Sequence, residues 1–143
     1  MGEAMSNKVV EDQPVIWSWP VTSEPDMVVR CMVDYAFSIQ TQGGFVIRIE
    51  NVFIYTTAAG HVHGLDPAED ASLLGPALPI ARSSVTAGFA NNLGALHLDF
   101  ADGSVLDISA DEHYEAWTLN GPDGLLLVST PGGGLTTWGL QTH

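Results

Sequence analysis

A mainly β (α+β) domain is what the sequence predicts: a single antiparallel sheet, or a small sandwich or partial barrel, built from consecutive hairpins with one short helix near residues 67–74. Three observations predict it. Apolar and polar residues alternate with a period of two in one stretch after another, the mark of half-buried strands. Turn-forming Gly, Asn and Asp separate those stretches at hairpin spacing. Helix-start chemistry occurs once. With 143 residues and 45% hydrophobic content, the chain has the size and apolar mass of one domain with a real core, which excludes a disordered body.

The polar stretch 1–12 lacks periodicity and reads as a flexible tail ahead of a single domain at 13–143. Val15 to Trp19 is a short edge strand, stopped by Pro20, with Trp17 and Trp19 on one side. Met27 to Thr41 reads as one strand, in which Tyr35, Phe37 and Ile39 alternate with Ala36, Ser38 and Gln40. The turn Gln42-Gly43-Gly44 folds it back onto Phe45 to Thr57, with a bend at 50–52 because one strand of that length is unusual. Asp66 as N-cap and Pro67 at the first helical position start the short helix, which Gly75-Pro76 ends.

Strands return after Ala81. Leu96, Leu98 and Phe100 share one face, and His97 and Asp99 the other. Asp102-Gly103 turns that strand into Ser104 to Ile108, Gly121 to Gly124 joins Tyr114–Leu119 to Leu125–Ser129, and Pro131 to Gly134 makes one more turn before Leu135–Trp138. The four tryptophans, Trp17, Trp19, Trp117 and Trp138, are expected in the core. The single cysteine, Cys31, lies in an apolar run and reads as a buried, inert thiol.

Charge narrows the function classes. Four Lys+Arg against 17 Asp+Glu give a formal charge of −13, which repels phosphate backbones and anionic lipid headgroups. No nucleic-acid or membrane partner is therefore expected. A basic protein is the complementary partner, and a homo-oligomer is compatible with the same sequence. The absence of a signal-peptide pattern, and of any apolar run near the roughly 18 residues that span a bilayer, points to the cytoplasm.

No residue spacing identifies a catalytic machine, and no cofactor is expected; the balance is against an enzyme. The run Pro131-Gly132-Gly133-Gly134 is a turn, because a phosphate-binding loop needs a following Lys-Ser or Lys-Thr and a helix. The candidate binding residues are instead acidic. Asp99 and Asp107 face outward on either side of the Asp102-Gly103 turn, where gathered like charges are expected to weaken the fold slightly. Asp111, His113 and Glu115 fall on one face if their segment is extended, and a His113–Glu115 pair there would make a pH-sensitive patch. The leading expectation is a non-enzymatic interaction module, such as an immunity-type protein that neutralises a basic partner.

Two other classes compete. A small-ligand or metal-binding domain would use His61 and His63, which alternate onto one side of an extended segment but supply only two of the three or four ligands zinc needs. A hydrolase using Glu115 with His113 ranks last.

The combination Tyr114-Glu115-Ala116-Trp117, Gly121-Pro122-Asp123-Gly124 and Pro131-Gly132-Gly133-Gly134 with Trp138 resembles a family of small actinobacterial proteins of unknown function. Phe45 to Glu50, His63-Gly64-Leu65-Asp66-Pro67 and Asp102-Gly103 fit the same pattern, so the resemblance covers about Met27 to Trp138. It implies one fold across that span and carries no activity or catalytic residue with it.

Overall fold

Alternation and glycine placement together decide where the strands begin and end. A computed structural model describes residues 13–140, so the tail read at 1–12 lies outside the described residues. Twelve strands follow in chain order: β1 (Val15–Ser18), β2 (Asp26–Val33), β3 (Phe37–Thr41), β4 (Val46–Ile49), β5 (Phe53–Thr56), β6 (Val62–Leu65), β7 (Ser84–Asn91), β8 (Leu96–Phe100), β9 (Val105–Ile108), β10 (Trp117–Asn120), β11 (Leu126–Ser129) and β12 (Leu135–Trp138). All pair antiparallel in one open sheet, ordered β12-β11-β10-β4-β3-β2-β7-β8-β9-β5-β6, with β1 added to β7. The expected single sheet of hairpins is what forms, and it does not close into a barrel.

The stretch read as one strand from Met27 to Thr41 is a hairpin. Asp34 breaks it: its side chain accepts the Ala36 N–H at 2.7 Å, and its own N–H donates to the Ala36 carbonyl at 3.1 Å. No glycine marks that turn, so alternation alone ran through it. The two Asp-Gly turns also differ. In Asp102-Gly103 only the glycine has positive φ, at 91°, and Asp102 accepts the Ser104 N–H, a three-residue turn with a bulge. Asp123 itself has φ 61°, the primed form an Asp-Gly pair is best known for.

The helix lies later than expected and is a 3₁₀ segment, Ala71–Arg82. Asp66 makes a local turn by accepting the Ala68 N–H, and Asp70 is the cap, accepting the Ser72 N–H at 3.0 Å. Pro76 and Pro79 lack the N–H an α-helical ladder needs, and the buried residues Leu74, Ala77 and Ile80 recur every third position, the 3₁₀ period.

β2 ties the sheet together. Asp26 and Met27 pair with β7, the register shifts between Val28 and Arg30, and the rest of the strand pairs with β3. Side chains of both halves meet in one core, where Phe37 stacks on Phe53 with centroids 5.5 Å apart and Trp17 and Trp19 pack against Phe45. Trp117 is fully buried, as expected, and its indole N–H donates to the Gly94 carbonyl at 2.9 Å. The Ser129 hydroxyl donates to the same oxygen at 2.8 Å. Gly94 must be glycine there: its φ is +80°, and a Cβ would stand 2.4 Å from the Gly134 carbonyl oxygen. Trp138 departs from expectation. On the end strand it faces outward and is 52% exposed.

Candidate functional site

β8 and β9 build the first candidate surface. Counting outward from the three-residue turn Ala101–Gly103, which sets Phe100 against Ser104, puts His97 directly opposite Asp107, and strand alternation returns Asp99 to the same face. The outcome is a clamp. His97 Nδ1 lies 2.6 Å from Asp107 Oδ1, and Nε2 lies 3.0 Å from Asp99 Oδ1. On the other side β7 sets Phe89 opposite His97, with the rings stacked at 5.2 Å. Ile54 of β5 flanks Asp107 in the same cross-strand row and is partly exposed.

This geometry fixes the charge. The hydrogen bond with Asp107, set against some loss from burial, together with the nearby Asp99 charge raises the His97 pKa from 6.5 to about 9. At neutral pH the ring is an imidazolium donating from both nitrogens, so it has no lone pair to act as a general base. The expected acidic face is present, but its carboxylates do not simply repel. His97 bridges them, so a cation stands between the like charges that were expected to weaken the fold slightly. The Asp99 and Asp107 side chains remain 43% and 37% exposed, so both carboxylates are partly open to solvent.

The second candidate region does not take the form the sequence suggested. Residues 112–114 are a bend, and β10 starts only at Trp117, so alternation does not put Asp111, His113 and Glu115 on one face. Asp111 uses its carboxylate to accept the His113 main-chain N–H at 2.8 Å, and its carbonyl accepts the Gly132 N–H. His113 and Glu115 are exposed. Sequence reasoning missed what gathers around the bend. Tyr114 donates to Asn51 Oδ1 at 3.4 Å, and its phenol pKa is raised by desolvation first and then by Asp111, Asp66 and Glu50. Beside it Arg48 bridges Asp34 and Glu50, each at 3.1 Å. These are surface pairs of small energetic weight.

The metal alternative gains no third ligand. His63 sits on β6 opposite Tyr55, and the His61 N–H donates to Thr57 Oγ1 one residue before β6 begins. Among the described residues, no three His, Cys, Asp or Glu side chains converge to hold a metal ion. Cys31 packs against the core, and burial pushes its thiol up to about 11, far from a nucleophile. No helix among the described residues is long and apolar enough to cross a membrane.

An open antiparallel β domain presenting a clamped acidic strand face is the class these observations define. Within that class, the chain belongs to a family of unknown function (DUF6188), which matches residues 17–139. No curated protein and no solved structure matches it.

Proposed function

We propose that this domain is a non-enzymatic interaction module that binds a basic protein through the outer face of β8 and β9, in the manner of an immunity-type protein neutralising its partner. One observation carries the reading: Asp99 and Asp107 are held half-exposed on paired strands by His97, with Phe89 and Ile54 beside them. Carboxylates fixed on strands lose little freedom when a Lys or Arg docks, and neighbouring apolar side chains supply the contact area that charge alone does not. The net charge of −13 adds long-range steering toward a basic surface.

The test is capture from the native host at low and high salt, comparing the wild type with Asp99→Asn/Asp107→Asn. A basic protein retained at low salt, released at high salt and lost on the double variant is the expected result. No basic protein retained at low salt, or equal retention by the double variant, removes this face as the binding site.

A further inference from the structure

The two ends of the sheet differ in a way the acidic face does not explain. β6 closes one end, with the 3₁₀ segment beside it and the carboxylates Asp66, Glu69 and Asp70 following in sequence. β12 closes the other, paired to β11 on one side and to no strand among the described residues on its other side. Exposed strand edges are usually blunted by Lys, Pro, an inward charge or a bulge. Leu135-Thr136-Thr137-Trp138 has no charge and no Pro, and its register with β11 is unbroken. In a chain of formal charge −13, no Asp, Glu, Lys or Arg follows Asp123.

The backbone direction on this edge follows from the turn before it. The Thr130 N–H donates to the Gly134 carbonyl, so the alternation of antiparallel pairs places Val128/Thr136 and Leu126/Trp138 in hydrogen-bonded positions. Thr137 then directs its N–H and C=O away from β11. On the outer face Trp138, 52% exposed, lies beside the half-buried Leu126, and the exposed Asn120 of β10 ends that apolar pair.

We propose that β12 is a self-pairing edge, joining antiparallel to β12 of a second copy of this chain. A second copy is the occupant the charge pattern selects. Two such molecules repel wherever their carboxylates meet, and the β11–β12 hairpin is where they can approach without bringing charge together. A two-fold axis perpendicular to the sheet sets Thr137 opposite Thr137 of the second copy, so that each N–H meets the other's carbonyl. Trp138 then covers Thr136 of the second copy and loses its exposure. Four residues of ladder and a small buried area make a weak, concentration-dependent dimer. Added salt strengthens it by screening the remaining repulsion, opposite in sign to docking of a basic protein, so the two proposals fail separately.

Sedimentation velocity of the full chain, run over a roughly hundredfold concentration range at low and moderate salt, tests this. A monomer–dimer equilibrium that salt favours is expected, with the Thr137 amide exchanging more slowly as concentration rises. Thr137→Pro removes the outward N–H without touching the ladder to β11 and should leave a monomer with an unchanged far-UV spectrum. Should that variant misfold, Thr136→Glu, at an exposed position, asks the same question by placing charge in the seam. A chain that stays monomeric at every concentration, or a dimer that survives whichever variant folds, overturns the proposal.

Discussion

His97 and His113 keep similar company in sequence, each with a carboxylate two residues away, yet they end in different chemistry. His97 stands in a strand whose partner sets Asp107 opposite it, and both ring nitrogens are engaged. His113 stands in a bend where Asp111 holds the main-chain N–H and leaves the ring exposed. The lesson is that a period-two pattern of titratable residues becomes a site only where a ladder enforces the period. Without it, local Asp-to-backbone bonds win, since they need no partner strand.

The largest effect is expected at Trp117, the first residue of the strand that follows the bend. Trp117→Ala removes a fully buried indole and its bond to Gly94, and should cost about 3–5 kcal/mol, much of a typical domain's stability. Thermal unfolding checks the magnitude. A variant that melts like the wild type would show that β10 does not depend on the buried Trp117 indole.

Next comes the clamp itself. The folded pKa of His97 lies above its unfolded value, so its contribution is complete below about pH 6.5 and drains away as pH rises through about 9. Because both carboxylates are more than a third exposed, the loss should be on the order of 1–2 kcal/mol, less than the shift alone implies. His97→Ala should flatten that alkaline decline in denaturant titrations at a series of pH values. An equally steep decline in the variant would assign it elsewhere.

Asp99→Asn/Asp107→Asn follows, at about 1 kcal/mol. Losing both carboxylate charges should return the His97 titration toward its ordinary value, read from its imidazole resonances. The smallest effect belongs to the bend: His113→Ala and Glu112→Gln should each change stability by less than about 0.5 kcal/mol. A larger effect there would mean that the bend carries side-chain contacts comparable to those of the clamp.

Much of the fold was legible because its turns announce themselves. Gln42-Gly43-Gly44, Asp102-Gly103, Gly121–Gly124 and Pro131–Gly134 all fall between paired strands. The Asp34 turn was not legible, since a side chain and not a glycine makes it. Sheet order was hidden for another reason: β4 pairs with β10 across a long stretch of chain, and no local pattern encodes that meeting. The clamp was half legible. His97, Asp99 and Asp107 were placed on one polar face, but the register that sets His97 against Asp107 comes from the bulged three-residue turn, which an Asp-Gly pair alone does not announce. What composition concealed was protonation, because counting histidine as neutral makes a bridged pair look like bare repulsion. Phe89 joins that site from β7, whose weak alternation gave no sign of it.

The pairing of β4 with β10 also carries a kinetic consequence. Everything from β5 to β9 is inserted between those two neighbours, and the insert's own first and last residues, Phe53 and Ile108, lie directly opposite each other. Once the insert has folded, the chain that must still close to bring Trp117 beside Ile49 is only the short flanks 50–52 and 109–116, in place of the whole intervening loop. Loop closure of a free chain that long is costly and slow, and a prefolded insert removes most of the search. Assembly is thus expected to run outward from β5–β9, with β10 docking afterwards, and pulse-labelled amides of β8 gaining protection no earlier than those of β10 would reverse that order.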